Sequence, residues 1–378
     1  MLKERLQNRA DLTCILGKQS MKRALSIYYW HQWGGSASCV GRILATADDE
    51  LTRLWDEKRV ENLQLPPLVD AVRFGREIEE RYRGERTVLI CPGESDYPVQ
   101  LNVLRHPPIL GVKGDVGILS QSQMAMVGSR HTIEASRMLT PVIADALMMS
   151  GYVITSGGAV GIDALAHRQA MVREQPTVVV SALGTDAIYP KENADIFEYA
   201  AQCGAVVSQF PNVQLRHKPN FPLRNDVIAG LSEGVVVVQC PQKSGAMYTV
   251  NAARRFQRPV FAAAMPGFEP LTEGGLMCIK SQQAQLLSAL QDLSFGKETK
   301  QKTLKFDVIQ TQKLQAEALP ESMMSATQTA IIQALSRSSM TREILRQTLN
   351  LPGDFDEAVL ELELNGYIQT VGGVMKCA

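Results

Sequence analysis

Two stretches of this chain concentrate groups that hold anions. Gly128-Ser129-Arg130, Ser156-Gly157-Gly158 and Gly184-Thr185 each follow an apolar run, and Lys243-Ser244-Gly245 opens a helical segment that carries Thr249. Small residues let backbone N–H groups come close to an anion, hydroxyls add hydrogen bonds, and a helix N-terminus adds a favourable dipole. Any one of these loops is equally well read as a tight strand-to-helix turn. Several on one edge of a sheet, with Arg130 and Lys243 attached, describe a phosphate-binding rim. The second stretch, Gln214 to Asn225, holds Arg216, Lys218 and Arg224 and no acid before Asp226. Phe221 lies among these cations, beside Asn220 and between two prolines. Taken alone the stretch reads first as a solvated basic loop over a buried ring. An aromatic among Arg and Lys also suits stacking on a base beside phosphate contacts.

Other chemistries lack their residues. VGSRHTIEA has no GxGxxG, GGAVGIDAL has the wrong spacing after its run, and no GxxxxGK[ST] occurs, which argues against dinucleotide and P-loop sites. Asp163 and His167 stand four apart on a helical segment and share a face, so they form an intrahelical pair more readily than acid–base machinery. The seven cysteines are scattered, odd in number and without a CxxC pair. That pattern points away from a disulfide framework and from zinc, and towards a reducing cytoplasm. No metal or cofactor is expected. Neither a signal peptide nor a run long enough to span a bilayer is evident.

The elements that must position these loops follow from pattern. Apolar residues make up 45% and charged residues 21% of 378, with net charge zero, so an anionic partner has to be held by a local patch. Between about 120 and 295, apolar runs at 124–127, 152–155, 177–183, 205–210, 234–240 and 259–264 alternate with helical stretches. Nearly continuous apolar runs belong to strands covered on both faces, hence to a mostly parallel, doubly wound α/β sheet of Rossmann-like type. In such a sheet ligands bind outside the carboxyl ends of the strands, where the small-residue loops lie. Pro141 is expected to kink or break the helix at 133–149. Residues 1–94 read as a helical domain whose Tyr28, Tyr29, Trp30 and Trp33 make a core. The stretch from 95 is an extended lead-in to the sheet domain that ends near 295. Residues 296–326 read as a linker, and 327–378 as three helices and a hairpin, the order of a winged helix.

MVGSR, TSGGAVGIDALAH, ALGTDAIYPKEN, VVSQFP, NFPLRNDVIAGLSEGVVVVQCPQKSGAMYTVNAA and RPVFAAAMPG resemble, in that order, the DprA (Smf) DNA-processing family. The resemblance is close over about 95–280 and looser in the tail, and the first 90 residues correspond only in position to a helical SAM-like domain. It implies a cytoplasmic, non-catalytic, dimeric binder of single-stranded DNA that loads a RecA-type recombinase during natural transformation. Carried over by position, it assigns nucleic-acid contacts to Gly128, Ser129, Arg130, Ser156, Gly157, Lys218, Asn220, Phe221, Arg224, Asn225, Ser244, Gly245 and Thr249. Lys243 joins them from the rim itself. Ala159 stands where the family's GLARGID motif has arginine, and SGAMYTV replaces SGSLITA, putting Tyr248 where a β-branched aliphatic is expected.

The rival reading is a nucleotide-binding sensor or a phosphoribohydrolase-like enzyme on the same architecture, or a diverged member that acts in phage defence. The phosphoribohydrolase motif PGGxGTxxE carries a catalytic Glu; the corresponding QKSGAMYTVNAA has Asn251 near that place. In the tail, the third helix of the winged helix (354–365) holds Asp354, Asp356, Glu357, Glu361 and Glu363 and no Lys or Arg. A polyanion repels such a helix, so the tail is expected to bind protein rather than DNA.

Overall fold

The computed structural model describes residues 18–32, 37–46, 66–212, 219–263, 265, 270–288 and 325–349, and in the tail 355, 358, 359, 362, 368–371 and 374–377. The chain divides into two compact units, Met1–Gly296 and Lys297–Ala378.

The first unit is built on nine strands: β1 (Thr87–Ile90), β2 (Leu110–Gly114), β3 (Gln123–Val127), β4 (Val153–Ser156), β5 (Thr177–Val180), β6 (Ala205–Ser208), β7 (Gly234–Val237), β8 (Val260–Ala263) and β9 (Gln285–Leu287). Their order in the sheet is β1-β2-β6-β5-β4-β3-β7-β8-β9. The six apolar runs read from the sequence are β3 to β8, and each pairs in parallel with its neighbours among them. They are buried along their whole length, which is why they read as continuous apolar runs rather than alternating ones. Two antiparallel strands extend the edge: β2 pairs with β6 and β1 with β2. β2 comes from the stretch read as an extended lead-in, and β1 from the end of the stretch read as helical.

Helices cover the faces. The N-terminal segment supplies α1 (Lys18–Gln32), α2 (Ala37–Ala45) and α3 (Leu68–Gly84). Tyr29 and Trp30 of α1 bury against Ala71, Val72 and Tyr82 of α3, so the aromatic cluster is a helical core; Trp33 lies outside the described residues. The two helices approach closely because Gly75 has no Cβ, which would collide with the Ala24 carbonyl. Trp30 Nε1 donates to the Gln209 carbonyl at 2.7 Å, and the Tyr82 hydroxyl accepts from the Asn212 N–H at 2.6 Å. These bonds tie the helices to the segment that follows β6.

Between the strands run α4 (Glu134–Met149), α5 (Ile162–Val172), α6 (Ala194–Cys203), α7 (Asn220–Leu231), α8 (Ala246–Arg255) and α9 (Glu273–Lys280). Contrary to expectation, Pro141 does not break α4, which continues through it. The apolar face formed by Ile143, Ala144 and Leu147 buries against Met124, Met126 and Ile154 of the sheet, and that burial offsets the lost backbone donor.

The second unit contains α10 (Ala326–Arg337), β10 (Met340–Thr341), α11 (Arg342–Leu349), β11 (Ile368–Val371) and β12 (Val374–Cys377), with sheet order β10-β12-β11. Ser325 caps α10 in a reciprocal box: its hydroxyl accepts from the Gln328 N–H at 3.1 Å, and Gln328 Oε1 accepts from the Ser325 N–H at 2.9 Å. Phe355, Ala358, Val359 and Leu362 are helical and buried at helical spacing. Helix, helix, helical segment and hairpin make the winged helix. Asp354, Asp356, Glu357, Glu361 and Glu363 lie outside the described residues, as does almost all of the stretch read as a linker.

Candidate nucleic-acid interface

β3 is the first strand of the doubly wound sheet, with β4 on one side and β7 on the other. The loops that leave β3 and β7 therefore diverge, and a crevice opens at their carboxyl ends, as the strand order requires. A cleft of about 400 Å³ occupies that place. It is lined by the loop after β3 (Gly128 to His131), the loop after β7 with the start of α8 (Lys243 to Ala246), and Phe221 on the first turn of α7.

The groups assigned to this rim divide into two sets. One set faces the cleft: Arg130, Lys243 and Gly245 are exposed, while Ser244 and Phe221 are half-buried. A Cβ at Gly245 would meet nothing within 4 Å, so no protein contact demands a glycine there and the backbone is open to a ligand. The Phe221 ring stands edge-on to Tyr189, with centroids 5.8 Å apart at 78°, which fixes it without covering both faces.

The other set is held by protein groups and mostly buried, and Gly128, Ser129, Arg224, Asn225 and Thr249 of it also line the cleft. Ser129 donates its N–H to the Gln239 carbonyl at 2.7 Å, its own carbonyl accepts from the Ile162 N–H at 3.1 Å, and its hydroxyl accepts from the His131 N–H at 3.1 Å. A Cβ on Gly128 would strike Ile162 and come within 2.7 Å of the Gln239 oxygen, so this glycine serves close packing of protein on protein. The buried Ser156 hydroxyl donates to the Met126 carbonyl at 2.5 Å. Gly157 gives its N–H to Asp163 at 3.2 Å, and its carbonyl accepts from Arg224 at 2.6 Å. Thr249 lines the cleft at 1% exposure.

Arg224 is the largest departure. A cation in a basic stretch is expected in solvent, yet this one is 7% exposed. Its Nη1 donates to the carbonyls of Gly157 and Val180, and its Nε donates to Asn225 Oδ1 at 3.2 Å. Burial pushes its pKa down to about 10, and the Asp163 carboxylate opposes that shift. Asp163 in turn is raised by its own burial and held back by Arg224 and by the N–H groups of Ala159 and Gly157. Arg224 thus locks the turn after β4 to α7 through the Gly157 carbonyl, with Asp163 held to the same turn by the Gly157 N–H. Asn220 and Asn225 are struts of the same kind, donating to the Ala182 carbonyl at 3.1 Å and the Gly245 carbonyl at 3.3 Å. Lys218 and Arg216 lie outside the described residues.

Sequence reading missed Gln239. Buried at the end of β7, it accepts from the Ile133 N–H at 3.2 Å and the Ser136 hydroxyl at 2.5 Å, and donates to the His131 carbonyl at 3.0 Å. A lone amide closing the apolar run GVVVVQC was the available signal. Ala159, where the resemblance expects arginine, also lines the cleft.

Asp163 and His167 do not form the expected pair, because each side chain has a different partner. Thr177 Oγ1 donates to the Ile154 carbonyl at 2.8 Å, which leaves it to accept from His167 Nδ1 at 2.7 Å. His167 Nε2 is buried with no partner among the described residues. Burial first, then Arg224 and Arg168, lower the imidazole pKa to about 3. The folded pKa lies below the unfolded value of about 6.5. The neutral ring therefore stabilises the fold fully above about pH 6.5, and that contribution disappears as pH falls towards about 3. Urea midpoints are expected to drop across this window by the equivalent of a few kcal/mol, since each tenfold loss of proton affinity on folding corresponds to about 1.4 kcal/mol. His167→Gln should flatten the dependence; an unchanged slope would show that the imidazole is not responsible.

Among the described residues no group of three or more His, Cys, Asp or Glu side chains is placed to hold a metal ion, and no helix is long and apolar enough to cross a membrane.

Known proteins are similar to this chain in sequence and fold. A model of the family described as DNA recombination-mediator protein A matches residues 88–295. A protein Smf from Synechocystis is 32% identical over 258 residues, covering 62% of this chain and 63% of its own. The DNA processing protein DprA of Bacillus subtilis is 33% identical over 210 residues, covering 55% and 71%. The matched stretches therefore span roughly two thirds of these relatives' lengths. The solved structure of DNA processing protein A from Helicobacter pylori, described with a single-stranded DNA binding mode, superposes with a TM-score of 0.51 at 28% identity, over 55% of this chain and 94% of that one. The X-ray structure of DprA from Streptococcus pneumoniae gives 0.57 at 24% identity, over 73% and 95%, and supports the fold alone. With the family model covering residues 88–295, more than half of the sequence, the chain belongs to the DNA recombination-mediator protein A family.

Proposed function

We infer that this protein binds single-stranded DNA in the cleft between the loops after β3 and β7, without catalysing a reaction on it. The observation that carries the reading is the company Phe221 keeps: a braced, partly open ring beside the exposed cations Arg130 and Lys243 and the N-terminus of α8. Cations contact phosphates, the ring stacks on a base, and the rim offers no groove-reading element among its described residues, so binding tolerates sequence and prefers single strands. The family relationship and the single-strand binding described for the Helicobacter pylori protein support it. On the same grounds the protein acts in the cytoplasm as a dimer that hands its strand to a RecA-type recombinase in recombination and transformation. Residues 1–94, 95–295, 296–326 and 327–378 are assigned as helical domain, DNA-binding domain, linker and protein-binding winged helix.

The nucleotide-enzyme reading is the weaker one. Asn251, which stands near the place of the phosphoribohydrolase Glu, lines the neighbouring groove rather than this cleft. One electrophoretic shift experiment with an oligothymidine, run beside a hydrolysis screen of nucleoside monophosphates, separates them. The full chain and a version ending near residue 300 are expected to shift the single strand with affinities within a few-fold of each other, under roughly 1 kcal/mol. Hydrolysis without a shift, or a shift lost with the tail, would refute the assignment.

A further inference from the structure

A second groove adjoins the cleft. It lies between α7 and α8 and meets the cleft at Pro222 and Tyr248, which line both openings. Beyond them it runs past Leu223 to Arg254 on the last turn of α8. Two apolar side chains stand out here. Tyr248 is 55% exposed and Leu223 is 52% exposed, on facing helices where packing alone would bury them. Among the described residues Tyr248 has no hydrogen-bond partner for its hydroxyl and no ring against its face. The single acid lining the groove, Asp226, is already neutralised by Arg255 at 2.5 Å. Arg254 is exposed and in no ion pair among the described residues, so the groove's unbalanced charge is positive.

We propose that this groove carries the DNA strand onward from the cleft, with Tyr248 as a second base-stacking platform and Arg254 as a phosphate contact. This rests on the single-strand reading of the cleft. An apolar partner protein would meet Leu223 and Tyr248 equally well, but the unbalanced cation and the continuity with a cationic cleft favour a polyanion. The spacing fits as well. Tyr248 and Arg254 lie six residues apart on α8, about 9 Å along its axis and about 120° round it, and both line the groove, so ring and guanidinium do not compete for one point. The substitution that distinguishes this chain from its family motif thus adds a ring where the strand leaves the rim.

The test compares two fluorescent oligothymidines bound by the full-length protein: one of about five nucleotides, enough for the cleft alone, and one of about twenty. Tyr248→Ala is expected to weaken the long oligomer about fivefold or more, the lower range of a base–aromatic stack, and to weaken the short one less, since Tyr248 stands where the groove meets the cleft. Tyr248→Phe should restore the long-oligomer affinity. Arg254→Ala should weaken the long oligomer and reduce the log–log salt slope by about 0.7, the value for one phosphate on a single strand. The proposal is overturned if Tyr248→Ala binds both oligomers like wild type, if it weakens both equally, or if Tyr248→Phe fails to restore binding. Phe221→Ala, read on the short oligomer, keeps the two claims apart. If it weakens binding while Tyr248→Ala does nothing, the groove alone is wrong; if it too does nothing, the cleft reading has failed as well.

Discussion

Replacing Arg224 by alanine is expected to destabilise the protein by about 2–5 kcal/mol, the cost of leaving the buried Gly157 and Val180 carbonyls without their donor, at about 1–3 kcal/mol each. The substitution takes a nearby positive charge from the buried Asp163 carboxylate, which keeps the N–H groups of Gly157 and Ala159. It also opens the space that Gly157 keeps clear, since a Cβ there would sit 2.5 Å from the guanidinium. Chemical denaturation of Arg224→Ala should show a much lower midpoint, with any loss of DNA affinity following from unfolding. A variant of wild-type stability that bound single strands poorly would instead make Arg224 a direct phosphate contact, as its place in a basic stretch suggests.

The second large effect is on binding alone. Arg130 and Lys243 are exposed and sit on different loops, so Arg130→Ala/Lys243→Ala should fold like wild type. A hydrogen bond to a charged group is worth about 1.5–3 kcal/mol. Two such contacts on separate loops add to roughly 3 kcal/mol or more, at least a hundredfold in affinity at low salt. The log–log salt slope should fall by about 1.4, at 0.7 for each lost phosphate contact on a single strand. Wild-type affinity in the double variant would remove the rim.

What the sequence reveals and what it hides divide along physical lines. Strands buried on both faces are legible as apolar runs, and their carboxyl ends locate the crevice without further information. Gly151, with φ of 81°, closes α4 where its glycine predicts. Direction of burial is not legible in a loop. Arg224 looks like its neighbours until the chain brings Gly157, 67 positions earlier, to its guanidinium. Ser129 and Ser156 read as anion donors because their composition is that of phosphate loops, but their hydrogen bonds are taken by Gln239, Ile162 and Met126. The edge strands β1 and β2 are short, and their place depends on antiparallel pairing with a strand some ninety positions on. The docking of α1 rests on the Trp30 indole bond, spanning 179 positions, and on Arg23, which donates to the Leu89 carbonyl at 2.7 Å across 66 positions. Local pattern carries none of these contacts.

Photocrosslinking tests the central claim most directly. An oligothymidine carrying 5-iododeoxyuridine is irradiated with the full-length protein, and the attached peptides are mapped by mass spectrometry. Halogenated bases couple efficiently to aromatic rings they stack on, so attachment is expected at Phe221 and in the peptides spanning 128–131 and 241–248, and should be lost with excess unlabelled single strand but not with duplex. Attachment confined to the winged helix at 325–377, or spread over the surface and indifferent to competitor, would contradict the account.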